Sequence, residues 1–325
     1  MKFLKITIDL INQIGLKKTS FSSSKKSSIN NNLLPVAIIL TLLFSSCDTS
    51  NTEVPPTEYQ DTPLQPTLTI DSTDLQDLPE DVGGIHVAYP LGSTDAVYGH
   101  FVYTPSGYTE NGAEFPLLVF LHGWDPTEYT GTDEEELNEL LIGTTPPGLI
   151  QNGKWKPSFP YIVASPRLKT PWYWNHQDIH DFIKYMIDEY QINTKRIYLT
   201  GLSLGGGGTW YYIGERGDDN YVAAIVPISA RGEAHIVTNL TKIPIWAFHG
   251  DSDTTVPPFE NFGSVPLVEA INADNPEIKA RITVFNDTGH DAWSRVYSDQ
   301  FTTMTEKTSF TVSIYDWFLQ YKKEE

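Results

Sequence analysis

The chain has 325 residues, room for one large domain or two small ones, and its 40% hydrophobic and 12% aromatic content can furnish a substantial core. It carries 22 Lys+Arg against 41 Asp+Glu, a formal net charge of -19; so acidic a body disfavours nucleic acid, which needs cations to neutralise its phosphates. With a single cysteine, Cys47, it can form no intramolecular disulfide and no thiolate metal site.

The first feature in chain order is the apolar run 33–44, preceded by Lys25 and Lys26. It is shorter than the roughly 20 residues that span a bilayer and has the length of a signal-peptide core. Ser45-Ser46-Cys47 then resembles the lipobox of bacterial lipoproteins, where cleavage leaves a lipidated N-terminal cysteine. Phe44 stands where that motif usually has Leu. The resemblance implies a signal peptide over residues 1–46, a lipid on Cys47 and a place in the bacterial cell envelope as an outer-membrane or cell-surface lipoprotein. The alternative is an ordinary secretory signal and a secreted protein. Residues 47–82 are rich in Thr, Pro, Asp and Ser and lack a sustained hydrophobic period, so they read as a flexible tether.

The body is expected over residues 83–325. Residues 85–89 and 98–103 read as an opening antiparallel pair of strands. Short runs rich in β-branched residues follow at 116–121, 161–165, 196–200, 222–228, 244–248 and 281–285, the pattern of a parallel sheet covered on both faces. Between them, Ile179, Phe182, Ile183, Met186, Ile187 and Tyr190 recur at helical spacing. A last helix is expected near 310–321. Alternating strands and helices define an α/β sheet.

Gly201-Leu202-Ser203-Leu204-Gly205 directly follows one of those runs. A G-x-S-x-G at a strand end marks a nucleophile elbow, a strained turn that exposes the serine oxygen at the top of a sheet. A serine hydroxyl is a poor nucleophile until a base takes its proton, and the base needs a carboxylate to orient it. Downstream, His249-Gly250-Asp251-Ser252-Asp253 ends the strand 244–248 and offers two carboxylates. Gly289-His290 follows the next strand. All three segments fall at the carboxyl ends of strands, where open α/β sheets bind ligands. The glycines 205–208 lack the following Lys-Ser/Thr of a phosphate loop and read as close helix packing.

These residues, with Leu117 to Gly123 and Val256-Pro257, resemble the α/β-hydrolase superfamily and its esterase branch: dienelactone hydrolase-like, feruloyl and acetylxylan esterase-like, and phospholipase/carboxylesterase-like proteins. The resemblance covers about residues 85–325. It implies an α/β-hydrolase fold, a mostly parallel sheet with helices on both faces, and Ser203, Asp253 and His290 as the catalytic residues. Asp251 is the fallback acid. His122 and His249 are expected to hold loops by hydrogen bonds, while His176, His180, His235 and Asp291 have no matched role. The oxyanion donors implied are the backbone N–H groups of Trp124 and Leu204.

The interval 230–243 is too short for a large cap, so an open site is expected. Trp172 and Trp174 fall on the catalytic rim, where they would stack on a sugar or phenolic ring or else close the core under a loop. The expected function is that of a lipid-anchored serine esterase working through an acyl-enzyme and deacylating plant polysaccharide, with no cofactor, no metal and no contact with the membrane beyond the anchor. Two other readings stand beside it: a serine peptidase of prolyl-oligopeptidase-like type, which ordinarily brings a gating domain, and a non-catalytic surface binding protein that keeps the fold.

Overall fold

In a computed structural model, residues 71–125, 130–169, 172–298 and 312–324 are described. The signal segment, Cys47 and most of the expected tether lie outside them. Strands β1 (Ile85–Tyr89), β2 (His100–Thr104) and β3 (Phe115–Leu121) come first. Two short helices follow, α1 (Glu134–Asn138) and α2 (Pro146–Gln151), before β4 (Ile162–Pro166) and α3 (His176–Glu189). Next are β5 (Ile192–Leu202), α4 (Leu204–Arg216), β6 (Ala224–Ile228) and α5 (Val237–Leu240). The chain continues with β7 (Trp246–Gly250), α6 (Ser264–Ala273), β8 (Arg281–Phe285), α7 (Trp293–Tyr297) and α8 (Ile314–Phe318).

The eight strands form one sheet in the order β1-β2-β4-β3-β5-β6-β7-β8. β1 and β2 run antiparallel to their neighbours, and β3 to β8 are parallel. Every residue of β3, β6 and β7 is buried, because helices and loops cover both faces of the parallel part. One apolar cluster gathers Phe182, Met186, Trp210 and Ile213 from α3 and α4 against one face. A second sets Tyr297, Trp317 and Phe318 against the other.

Local chemistry sets the helix starts. Asn175 caps α3 by accepting from the N–H groups of Gln177 and Asp178, and Asp133 caps α1 through Glu136 N–H. Glu134, Glu135 and Glu136 give α1 an acidic first turn. The last helix is shorter than 310–321: Ser313 caps it by accepting from Asp316 N–H, so it begins at Ile314.

The expected boundary of the body at residue 83 is corrected. Residues 71–82, read as tether, are packed against the sheet. Leu75 is 1% exposed, and Asp74 Oδ2 accepts from Arg196 Nε at 2.7 Å. Asp81 accepts from the Tyr103 hydroxyl at 2.8 Å and from Ser106 N–H at 3.1 Å. The composition matched a tether because these contacts reside in partners far along the chain.

Candidate active site

β5 delivers Ser203 at its carboxyl end, and α4 begins at the next residue. Ser203 has φ 51° and ψ -116°, a left-handed conformation that a non-glycine residue holds only when its surroundings impose it. The imposition is steric. A Cβ on Gly205 would collide with the carbonyl oxygens of Leu121 and His122, and one on Gly201 would collide with the Gly205 backbone. Ser203 N–H donates to Ile228 O at 2.9 Å, tying the turn to β6.

Three of the four consecutive glycines serve packing. Besides Gly205, a Cβ on Gly206 would lie 2.7 Å from Ala230 Cβ, and one on Gly208 2.6 Å from Trp174 Cβ. Gly207 has space around it.

His290 follows β8 and lies between the serine and an acid. Its Nε2 is 2.8 Å from Ser203 Oγ, and its Nδ1 is 2.7 Å from Asp253 Oδ2. A proton on Nδ1, facing the carboxylate, leaves Nε2 free to accept from the serine hydroxyl. Asp253 Oδ1 accepts from Thr255 and Val256 N–H, both at 2.9 Å. Burial opposes the charged carboxylate, but the hydrogen bonds from His290 and from these two N–H groups outweigh it and hold its pKa below the ordinary value. The fallback acid is not part of this array: Asp251 accepts from the Ser252 hydroxyl at 2.8 Å and from Thr288 N–H, bracing the loop that carries His290.

Both His-Gly histidines hold loops, as expected. His249 Nε2 lies 2.7 Å from Val256 O and 3.1 Å from Asp253 Oδ2, and its Nδ1 is 2.8 Å from Ser264 Oγ. His122 Nδ1 donates to Gly123 O at 2.6 Å, and its Nε2 accepts from Leu168 N–H at 3.0 Å. Burial and the nearby Arg167 charge push His122 down to about 3, so it stays neutral and can keep that acceptor. His180 packs beside Tyr212 and Tyr221, His235 pairs with Glu215 at 2.8 Å, and Asp291 accepts from Ser294 N–H at the start of α7.

Leu204 is the first residue of α4, where backbone N–H groups have no partner within the helix. Trp124 follows β3 and is largely exposed. Neither backbone N–H donates to a protein acceptor among the described residues.

The two rim tryptophans differ. Trp172 is 72% exposed. Trp174 is 4% exposed and packs edge-on against Tyr98 and His122, so the expectation that it contacts substrate is corrected. Its Nε1 donates to His122 O at 3.1 Å, bracing the loop that presents Trp124. The vacant side of Gly208 admits its ring, a fit invisible in the Trp-Tyr-Trp pattern.

Sequence reasoning also missed Trp293, whose ring stands edge-on 5.2 Å from His290. Its position three residues after His290 was the only available signal. It helps to wall a cleft of about 220 Å³ beside the serine, with Phe120, Trp124, Leu140, Ile142 and Leu202. At the polar edge of this cleft Arg167 pairs with Asp125 at 2.7 Å.

Sheet order, elbow and the Ser–His–Asp array together define the α/β-hydrolase fold. No family model matches the sequence. Over 157 residues the chain is 29% identical to a bifunctional acetylxylan esterase/xylanase from Neocallimastix patriciarum, covering 47% of this chain and 21% of that protein. The chain thus spans about a fifth of the length of this curated relative. A thermostable esterase of known structure is similar with TM-score 0.53 and 22% identity, over 74% of this chain and 63% of that one. The feruloyl esterase module from Clostridium thermocellum, solved as a mutant complexed with sinapinate, is similar with TM-score 0.50 and 18% identity, over 81% of this chain and 93% of that one.

Proposed function

We propose that the protein is a serine carboxylic ester hydrolase that removes acyl groups from plant polysaccharide. The observation that carries this reading is the continuous line Ser203 Oγ–His290 Nε2–Asp253, with contacts of 2.8 and 2.7 Å at the end of a strained elbow. The acetylxylan esterase and feruloyl esterase relatives supply the substrate class. No observation favours the peptidase or the binding-protein reading.

The residues account for each step. As Ser203 Oγ attacks the ester carbonyl carbon, its proton passes to His290 Nε2. Asp253 stays ionised and stabilises the imidazolium. The oxygen of the tetrahedral intermediate takes up negative charge and is met by the N–H groups of Leu204 and Trp124. Collapse breaks the bond to the alcohol, which leaves with the proton from His290. Water then attacks the acyl-enzyme, giving its proton to the same nitrogen, and the acid is released as Ser203 regains its hydroxyl proton. Trp172 offers an exposed aromatic face on the rim for the bound ring.

A fluorophosphonate probe and p-nitrophenyl acetate test the nucleophile. Both should react with wild type and neither with Ser203→Ala; reaction persisting in the variant overturns the assignment. Parallel assays on methyl ferulate, acetylated xylan and a peptide amide test the substrate class, and turnover of the amide alone overturns it.

The location is part of the same reading and rests on sequence. Cys47 carries the lipid that holds the protein at the bacterial envelope. Cys47→Ala should release the protein from membranes, and continued membrane association overturns lipidation.

A further inference from the structure

A second depression lies on the other side of the serine. The order β3-β5-β6-β7 places the loop after β3, with Trp124, on one flank of Ser203, and the loops after β6 and β7 on the opposite flank. On this second flank a groove of about 560 Å³ is lined by Arg231, Thr255, Phe259, Glu260 and Asn261, among others. It adjoins the triad directly, since Thr255 and Val256 donate their N–H groups to Asp253.

The two flanks differ in chemistry. The cleft beside Trp124 gathers Phe120, Trp124, Leu140, Ile142, Leu202 and Trp293, with the polar groups His122, Asp125, Glu139 and Arg167 along its edge. The groove beside Arg231 sets one aromatic ring among a cation, a carboxylate, an amide and a hydroxyl. Such a set both donates to and accepts from vicinal hydroxyls while the ring covers an apolar face. An ester lying across Ser203 extends one half to each side.

Phe259 is 56% exposed, and backbone hydrogen bonds fasten the loop that carries it. Val265 N–H donates to Pro258 O at 3.1 Å, and Gly263 N–H to Glu260 O at 2.7 Å. Gly232 N–H donates to Phe262 O at 3.0 Å, and Arg231 forms an antiparallel bridge with Gly263, so platform and arginine share one scaffold. In a chain of formal charge -19, the Arg231 guanidinium pairs with no carboxylate among the described residues.

We propose that this groove is the subsite for the sugar on the alcohol side of the scissile ester, with Phe259 as the stacking platform and Arg231 as a donor to the ring hydroxyls. The proposal rests on the ester-hydrolase reading and adds where the leaving group lies. The acyl group then occupies the cleft beside Trp124, against its aromatic and aliphatic side chains.

The test uses pairs of esters sharing one acyl group, acetyl or feruloyl, attached either to methanol or to a xylo-oligosaccharide. For Phe259→Ala, the ratio of kcat/KM for the sugar ester to that for the methyl ester should fall about three- to tenfold, the scale of one lost aromatic contact. The loss should appear mainly in KM, and Phe259→Trp should restore the ratio. Arg231→Gln should lower the same ratio independently of the acyl group. If the ratio stays at its wild-type value in both variants, or follows the acyl group instead of the alcohol, the subsite is overturned while the hydrolase reading stands. If wild type cleaves neither ester of any pair, the hydrolase reading falls and the subsite with it.

Discussion

His249 stands directly behind Asp253, its Nε2 3.1 Å from the same Oδ2 that faces His290. Both side chains are fully buried, and Ser264 links the far side of the imidazole to the Ala230 carbonyl through contacts of 2.8 and 2.7 Å. The triad acid is thus gripped from behind by a ring that is itself fixed to the end of β6. His249→Ala removes this grip but leaves the Thr255 and Val256 donors. We expect kcat on p-nitrophenyl acetate to fall about ten- to a hundredfold with KM nearly unchanged, the pattern of a lost orienting contact. A change confined to KM would contradict the positioning role.

The two carboxylates of His249-Gly250-Asp251-Ser252-Asp253 should separate cleanly in mutants. Asp253→Asn keeps the shape of the acid but presents its amide to His290 Nδ1, favouring the wrong tautomer. On the scale of other Ser–His–Asp enzymes, kcat should drop by about 10⁴. Asp251→Asn retains an oxygen for Thr288 N–H and does not touch His290, so its kcat should remain within about threefold of wild type. Steady-state kinetics of both variants beside their thermal unfolding decide this.

Trp172 and Trp174 should also part company. Trp174→Ala empties a buried site against Tyr98 and Gly208 and frees the His122 carbonyl, a loss of about 3–5 kcal/mol of stability for a large aromatic. Trp172→Ala removes an exposed ring and should alter stability by less than about 0.5 kcal/mol. Urea unfolding of the two variants measures the difference.

This pair marks the limit of what was legible in the sequence. The parallel strands were readable because each contains a short apolar run, and Ser203, Asp253 and His290 because each follows one at the same rim. Which tryptophan faces inward depends on the bare side of Gly208, more than thirty residues away. The packed strap 71–82 was unreadable for a similar reason. Its Thr, Asp and Pro composition is that of a tether, and it takes the buried Arg196 of β5, with Asn193 and Lys322, to turn Asp74 into an anchor.

That anchor can be measured. Arg196 is fully buried and bonds Asp74 and the Leu319 carbonyl, joining the strap to the chain just after α8. Asp74→Ala would leave a buried guanidinium without its carboxylate, a defect that typically costs about 3–5 kcal/mol, here reduced because Asp74 is partly solvent-exposed. A chain beginning at residue 71 should therefore unfold at a higher temperature than one beginning at 83. Equal melting temperatures would show that the strap adds nothing to the body.

Buried histidines predict a distinct response to acid. Burial pushes His100 down to about 4, with its Nδ1–H donated to Tyr98 O at 2.9 Å, and His122 down to about 3. In the unfolded chain both take up protons near the ordinary value of about 6.5. Between that pH and their folded pKa values the unfolded state binds more protons, so stability falls as pH falls. From pH 7 to pH 4.5 each histidine should remove on the order of 2–3 kcal/mol. The contribution of Asp253, whose folded pKa is depressed, is lost only below the ordinary carboxylate range, so the two effects occupy different windows. Urea unfolding at pH 7 and pH 4.5 should show the loss in wild type. His100→Leu, which leaves no titrating ring at that position, should show a smaller one, and an equal loss in the variant would remove His100 as its source.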